Sequence, residues 1–361
     1  ALFVLTRDFR AGMVLQVAML SALAFWLMRL AAKLHGRPHW ADAFFPVSLL
    51  HIGHWENFLM GYQLCFALFT VLVTAIGVVA LRTTRETAFR SGATAGVLGV
   101  LLCLCGGFGL VVALPVSAWV AYLAVIVWRT GAKRNAWVLL GLAVLPLVYL
   151  WVYQIDYQRP GHHPPPGEGG PWVVVMVAGE VLAMALGFGT TSVWGWVCGG
   201  LLVLGGFTIW VLARDPNRPA ALGLIAVAAG VAGLALAIGI GRSGFGETWG
   251  LWSRYALLMW PLVGLAFLVW AKRGGKAGKW VPAAMCIATA MFFQANTLLG
   301  LSFGEAVRAR QTAIEADARA RVPPEVIAYD PERLGGSGQE ERAVRAIPML
   351  RDAGIGAFAG K

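Results

Sequence analysis

The sequence predicts an all-α polytopic membrane protein, and three observations carry that prediction. Charged residues make up 13% of the 361-residue chain, about half the roughly 25% of a soluble domain. Apolar runs of about 20 residues, enough helix to cross the hydrocarbon of a bilayer, recur along it. The short loops between those runs concentrate Arg and Lys, as the positive-inside bias demands. The mean hydropathy of +0.70 agrees. The 45 glycines let helices approach closely, and the 16 tryptophans suit the membrane interface. The net charge of +11 belongs to loop topology, so nucleic acid is not an expected partner.

The elements follow in order. After a short charged segment at 6–10, residues 11–34 form the first span, with Arg29 and Lys33 able to snorkel from its end. A loop at 35–42 leads into the polar stretch 44–63, FFPVSLLHIGHWENFLMGYQ, and residues 58–81 form the second span. A basic loop at 82–90 precedes paired spans at 93–112 and 115–128, with Pro115 placed at a helix start. The basic loop 129–135 and a span at 136–153 come next. The Pro- and Gly-rich segment 154–170 is a loop. Residues 171–213 are too short for three spans and slightly long for two. Loop charge requires an odd number of crossings there, so 172–188 is expected to enter with Glu180 in a polar cleft without crossing fully and 194–213 to span, the alternative being two full crossings that break the charge rule at 214–219. Turn 214–219, span 220–240, loop 241–255, span 256–271, basic loop 272–279 and span 280–299 complete the bundle. This amounts to about nine spanning helices plus one half-crossing helix. Residues 1–303 form the transmembrane domain, and 304–361 a polar, partly helical tail.

Sidedness follows from charge. Loops 82–90, 129–135, 214–219 and 272–279 are expected to be cytoplasmic. That puts loops 35–57, 154–170 and 241–255 and the tail on the outer face. All six histidines (His35, His39, His51, His54, His162, His163) fall there in this reading, with Glu56, Asp156, Arg242, Glu247 and Arg254.

Polar groups at membrane depth are expensive and mark function by default, so the stretch 44–63 carries the first site hypothesis. His51 and His54 share a helix face at i, i+3, a spacing two zinc ligands can use. Glu56 points elsewhere on such a helix, so a divalent metal is a weak reading and no cofactor is expected. Glu56, Asn57 and Gln63 suit hydrogen bonding to a polar head group or sugar, with Trp55 and Tyr62 stacking on it or anchoring the helix. The competing reading is a polar helix end that only ties loops together. In 241–255, GRSGFGETWGLWSRY, Arg242 and Arg254 suit a phosphate or pyrophosphate, with Trp252 and Tyr255 where the next helix enters. There the competing reading is a structural bridge from Arg254 to Glu247 or Glu56. Asp156 and Arg159 are placed to pair locally. The five cysteines lie in apolar runs without metal-site spacing and read as small buried hydrophobes.

HIGHWENFLMGYQLCF (Trp55, Glu56, Asn57, Gly61, Gln63), the turn with Gly109, Leu110 and Pro115, and GRSGFGETWGLWSRY (Arg242, Gly244, Gly246, Ser253, Arg254, Tyr255) together resemble a widespread group of bacterial polytopic proteins. That group is similar to the GT-C class of integral-membrane glycosyltransferases. The resemblance covers most of the chain, into 351–358. It implies a multi-pass GT-C-like bundle in the bacterial inner membrane. Such a protein transfers a sugar from a polyprenyl-phosphate donor to a cell-envelope acceptor on the outer face. Substrate-binding roles then fall to Glu56, Asn57, Gln63, Arg242, Arg254 and Tyr255, with the two arginines on the phosphate. The catalytic acid of the class lies on the first outer loop. This chain opens on Ala1 as though after that loop, so an upstream segment is expected to supply the acid. Asp8 and Asp42 are poor substitutes, and the catalytic residue is left unassigned.

Two other readings stand beside this one. A non-catalytic accessory subunit would find its protein partners within the membrane. A lipid or solute transporter would need polar groups at the midplane and an internal repeat, and no clear repeat is visible. One geometric question separates binding from structure. Either an outer cavity gathers Glu56, Gln63, Arg242 and Arg254, or these side chains pair off in a filled core.

Overall fold

Without water to serve its amides, a chain crosses lipid as helix, and breaks in that helix survive only where protein covers them. The computed structural model, which describes residues 10–155, 157–158, 163–331, 333 and 340–354, shows both situations. Eight helices among these residues are long and apolar enough to cross a membrane, and there is no strand among them. The protein is an all-α, multi-pass membrane protein. Asp8, the Asp156–Arg159 pair, His162 and residues 355–358 lie outside the described residues.

The long helices are α1 (Arg10–His35), α4 (Leu64–Arg82), α6 (Gly107–Arg129), α7 (Lys133–Ile155), α9 (Trp194–Ala213), α10 (Arg218–Arg242), α11 (Tyr255–Arg273) and α12 (Gly275–Arg319). Shorter pieces are α2 (Phe44–Leu49), α3 (Trp55–Leu59), α5 (Ala88–Cys103), α8 (Gly170–Ala183), α13 (Pro324–Tyr329) and α14 (Glu340–Asp352). Helix α11 is the axis of the bundle: nearly every residue from Tyr255 to Ala271 is buried.

Two boundaries differ from the sequence reading. The turn between α5 and α6 falls at Gly106, whose φ of +107° stops the helix. Pro115 lies inside α6, where Gly230 of α10 leaves room for its ring. At the other end, α12 runs for 45 residues straight through the 303/304 boundary expected between membrane domain and tail. Beyond the bundle, a small separate cluster of Ala318, Ile327 and Ile347 packs the tail helices together.

Helix α8 has 14 residues, about 21 Å of rise against roughly 30 Å of hydrocarbon. It ends in two 3₁₀ turns, Met184–Leu186 and Phe188–Val193, before α9 begins. The α8 segment therefore enters the bundle and breaks there.

The largest correction concerns 35–57, expected as an outer-face loop. Helices α1 and α4 run parallel. At their N-terminal ends Gln16 Nε2 donates to the Met60 carbonyl at 3.0 Å, and Gly12 touches the Gly61 backbone. At their C-terminal ends Arg29, Lys33 and Arg37 share one pocket with Arg82. The chain between them must therefore traverse the full thickness of the bundle. It does so antiparallel to α11. His35 lies 6.4 Å from the Phe267 ring and Phe44 stacks on Phe267 at 5.1 Å. Further along, Trp260 Nε1 donates to Ser48 Oγ at 2.8 Å, and the Arg254 N–H reaches Glu56 at 2.9 Å. On its other side the segment follows α12, with Gly53 at Asn296, Ile52 at Gly300 and Trp55 stacked on Phe303 at 4.6 Å. This crossing is broken into α2, a 3₁₀ turn at Ile52–His54, and α3. His35 and His39 thus sit with the basic loops and His51 and His54 sit inside the bundle, not on the outer face.

The revised path sorts charge more cleanly. Arg29, Lys33 and Arg37 join the basic loops on one face, hereafter the basic face. There Lys272 Nζ donates to the Leu81 carbonyl at 2.7 Å and Asn217 Nδ2 to the Thr83 carbonyl at 2.8 Å. Arg242 and Arg254 lie at the opposite end.

This path is checked by labelling single cysteines, in a background lacking the five native ones, with a membrane-impermeant maleimide. Arg37→Cys should label from the same side as Lys276→Cys, and Tyr62→Cys from the other side. Labelling of positions 37 and 62 from one side would restore the loop reading.

Candidate functional site

The site hypothesis rests on where the broken segments end. Glu56 lies in the first turn of α3, fully inside the bundle at 2% exposure. Its carboxylate accepts from the Ser253 hydroxyl at 3.0 Å and the Arg254 backbone N–H at 2.9 Å, and meets Arg254 Nη1 at 3.5 Å. The Glu56 N–H donates back to Ser253 Oγ at 3.3 Å. Asn57 Nδ2 donates to the carbonyls of Ser253 and Arg254 at 3.3 and 3.4 Å. Helix α11 starts at Tyr255. Glu56 therefore caps it from another part of the chain, placing negative charge where the helix dipole is positive.

The sequence candidates separate into three places. Glu56, Asn57, Arg254 and Tyr255 are together. Gln63 instead turns to α1: its Nε2 reaches Met60 Sδ at 3.5 Å, beside the Gln16 contact with the Met60 carbonyl. Arg242 lies over the Phe245 ring at 5.4 Å. A run of aromatic rings, Phe245 to Trp249 at 4.4 Å and Trp249 to Trp252 at 5.6 Å, leads from it toward Arg254. Arg254 pairs with Glu56 and not with Glu247. The expectation that Glu56 and Asn57 present free polar groups to a sugar is corrected for the Glu56 carboxylate and the Asn57 amide nitrogen, which are taken up by Ser253 and Arg254, while Asn57 Oδ1 is buried with no partner among the described residues.

Arg254 itself is different. Its side chain keeps 24% exposure, and its guanidinium lies 4.7 Å from the Trp252 ring and 5.6 Å from the Tyr255 ring. Only Nη1 has a polar partner among the described residues, and that contact is long. The rest of the fork stays open, in the planar geometry that suits two oxygens of a phosphate.

A second polar group lies deeper. The His51 and His54 rings stack at 4.1 Å, and His54 Nε2 donates to the Ser48 carbonyl at 2.9 Å. Among the described residues, neither ring nitrogen of His51 has a hydrogen-bond partner. Asn296 of α12 adjoins them. It donates to the Leu186 carbonyl at 3.0 Å and accepts from the Gly189 N–H at 2.7 Å. The break in the first crossing and the break after α8 therefore meet at His51 and Asn296. Gly187, at φ +96°, sits so close that a Cβ there would touch both side chains. Among the described residues, no three His, Cys, Asp or Glu side chains converge as a metal site would require. Glu180 of α8 is buried and accepts from the Thr248 and Gly250 N–H groups at 3.2 and 3.0 Å.

Sequence reasoning did not single out Gln16, Ser48 or Asn296. The only signal was a lone polar residue in an apolar run, and such a residue usually bonds to its own helix. No family model, curated protein or solved structure matches this chain.

Glu56→Ala leaves the Arg254 N–H and the Ser253 hydroxyl without their acceptor, at roughly 1–3 kcal/mol for each buried donor. Thermal unfolding in detergent should show a clear fall in midpoint for Glu56→Ala, a smaller one for Ser253→Ala, and non-additivity in the double variant. Additive effects would show that the two side chains act separately. Gly187→Ala should also lower the midpoint, because a side chain there is strained at positive φ and clashes with His51.

Proposed function

We propose that this is a GT-C-like membrane protein that binds a polyprenyl-phosphate-linked sugar at its Arg254 end. One observation carries the reading: Arg254 is pinned through its backbone, lies over two aromatic rings, and keeps most of its guanidinium donors unspent. A side chain held on one edge and open on the other loses little entropy on meeting a phosphate. In this reading Glu56 and Asn57 position Arg254 and do not touch the sugar. Trp252 and Tyr255 flank the head group, and the polyprenyl chain approaches between helices from the lipid. The membrane is the bacterial inner membrane, and the acceptor reaches the site from the outer side. Arg242, on its own ring, is a second cation for a pyrophosphate or for the acceptor. The reading assigns binding roles and names no catalytic base, since Glu56 and Glu180 both hold backbone groups.

A second reading has its own observation. Two broken crossings that meet inside the bundle at polar side chains are the arrangement a solute or lipid transporter uses at its substrate site. His51, His54 and Asn296 would then line the path.

Arg254→Ala should weaken binding of a polyprenyl phosphate in nanodiscs at least tenfold, or about 1.4 kcal/mol. Arg254→Lys should recover part of the loss. Unchanged affinity in Arg254→Ala, with the fold intact, would remove the phosphate role. Transport in proteoliposomes that survives Arg254→Ala and is lost in His51→Phe would favour the second reading.

A further inference from the structure

At the end of the bundle away from Arg254, four cations converge that neither reading uses. Arg29 and Lys33 lie one turn apart on α1, Arg37 follows the turn at Gly36, and Arg82 closes α4. With Trp26 and Gly36 they line a pocket of about 510 Å³. No carboxylate is among the lining residues. Among the described residues, none of the four cations makes an ion pair. Asp42, the acid that follows Arg37 in the chain, accepts from the His39 N–H at 3.0 Å and faces His35 at 3.2 Å, and Glu86, which follows Arg82, makes no ion pair with the four cations.

Like charges lining one pocket repel, and no ion pair within the described chain offsets them. The parallel run of α1 and α4 creates the problem, since it brings two basic helix ends side by side. An anion in the pocket would relieve the repulsion and tie the two ends together. Three guanidinium groups suit the oxygens of a phosphate, and the Lys33 ammonium adds a point charge. The pocket lies on the basic face, where lipid head groups sit, and Trp26 is 39% exposed at its wall as an interfacial anchor would be. We propose that this pocket binds a phosphate-bearing anion, supplied by the head group of an anionic phospholipid. The site is independent of the Arg254 reading and lies on the opposite face.

The test uses the full chain in nanodiscs of phosphatidylcholine, with cardiolipin added in one arm and inorganic phosphate in the other. Retained lipid is read by native mass spectrometry and the unfolding midpoint by a thermal scan. Wild type should retain cardiolipin and gain stability from it. Arg37→Gln/Arg82→Gln should lose retention at least tenfold, while Lys276→Gln/Lys279→Gln, on the same face outside the pocket, should keep it. Should the double variant fold poorly, Arg37→Gln alone, an exposed position after α1, should show a partial loss. Stabilisation of wild type, but not of the variant, by inorganic phosphate without cardiolipin would keep the phosphate site and assign it a soluble ligand. Equal retention by the pocket and control variants would overturn the proposal, because attraction would then belong to the whole face.

Discussion

A chain that leaves the helix inside an apolar bundle must find a partner for every N–H and C=O it frees, and this structure is organised around that demand. Among the described residues it breaks helix within the bundle around residues 50–54, 60–63 and 184–193. Several buried polar side chains serve backbone groups at those breaks or at the ends of the helices around them. His54 takes the Ser48 carbonyl, Asn296 takes Leu186 and Gly189, and Gln16 takes Met60. Asn57 takes Ser253 and Arg254, Glu56 takes the Arg254 N–H, and Glu180 takes Thr248 and Gly250. These residues are costly in lipid and inexpensive here, because each replaces the water or helix neighbour that a freed amide has lost.

That arrangement explains why function concentrates in what is left over. Arg254 donates its backbone N–H to the joint and keeps its side chain largely free. His51 lies where the breaks at 50–54 and 184–193 meet, with both ring nitrogens unpaired among the described residues. Two concentrations of positive charge carry the proposals: Arg254 with Arg242 at one end and the Arg29–Lys33–Arg37–Arg82 pocket at the other. They differ in setting. The first pair rests on aromatic rings, which hold a cation without neutralising it. The second has only each other and open space.

The parallel run of α1 and α4 is the geometric fact behind both. With an antiparallel pair, residues 35–57 would be a simple loop and Arg29, Lys33 and Arg37 would lie across the membrane from Arg82. The parallel pair forces a crossing through the middle of the bundle. Packing along α11 and α12 makes that crossing possible despite its polar residues, through Phe44 on Phe267, Trp260 on Ser48 and Trp55 on Phe303. Glycines admit the backbone where side chains would not fit, as at Gly300 against the Ile52 carbonyl.

The sequence by itself determined the all-α, multi-pass class and most of the spans, because hydropathy over about 20 residues is a local property that the bilayer reads directly. Tertiary structure decided the rest. Pro115 looked like a helix start, yet the break sits at Gly106, where φ is positive, since Gly230 accommodates the proline ring in mid-helix. Residues 35–57 looked like a loop because His, Glu and Asn cancel their apolar neighbours in any average. Only the neighbouring helices show that those groups are paired and the segment buried. Glu56 and Asn57 looked like ligand contacts for the same reason. A sequence shows that a polar group is present at depth. Whether its hydrogen bonds are spent on the chain or left for a partner depends on residues some 200 positions away, such as Ser253 and Arg254.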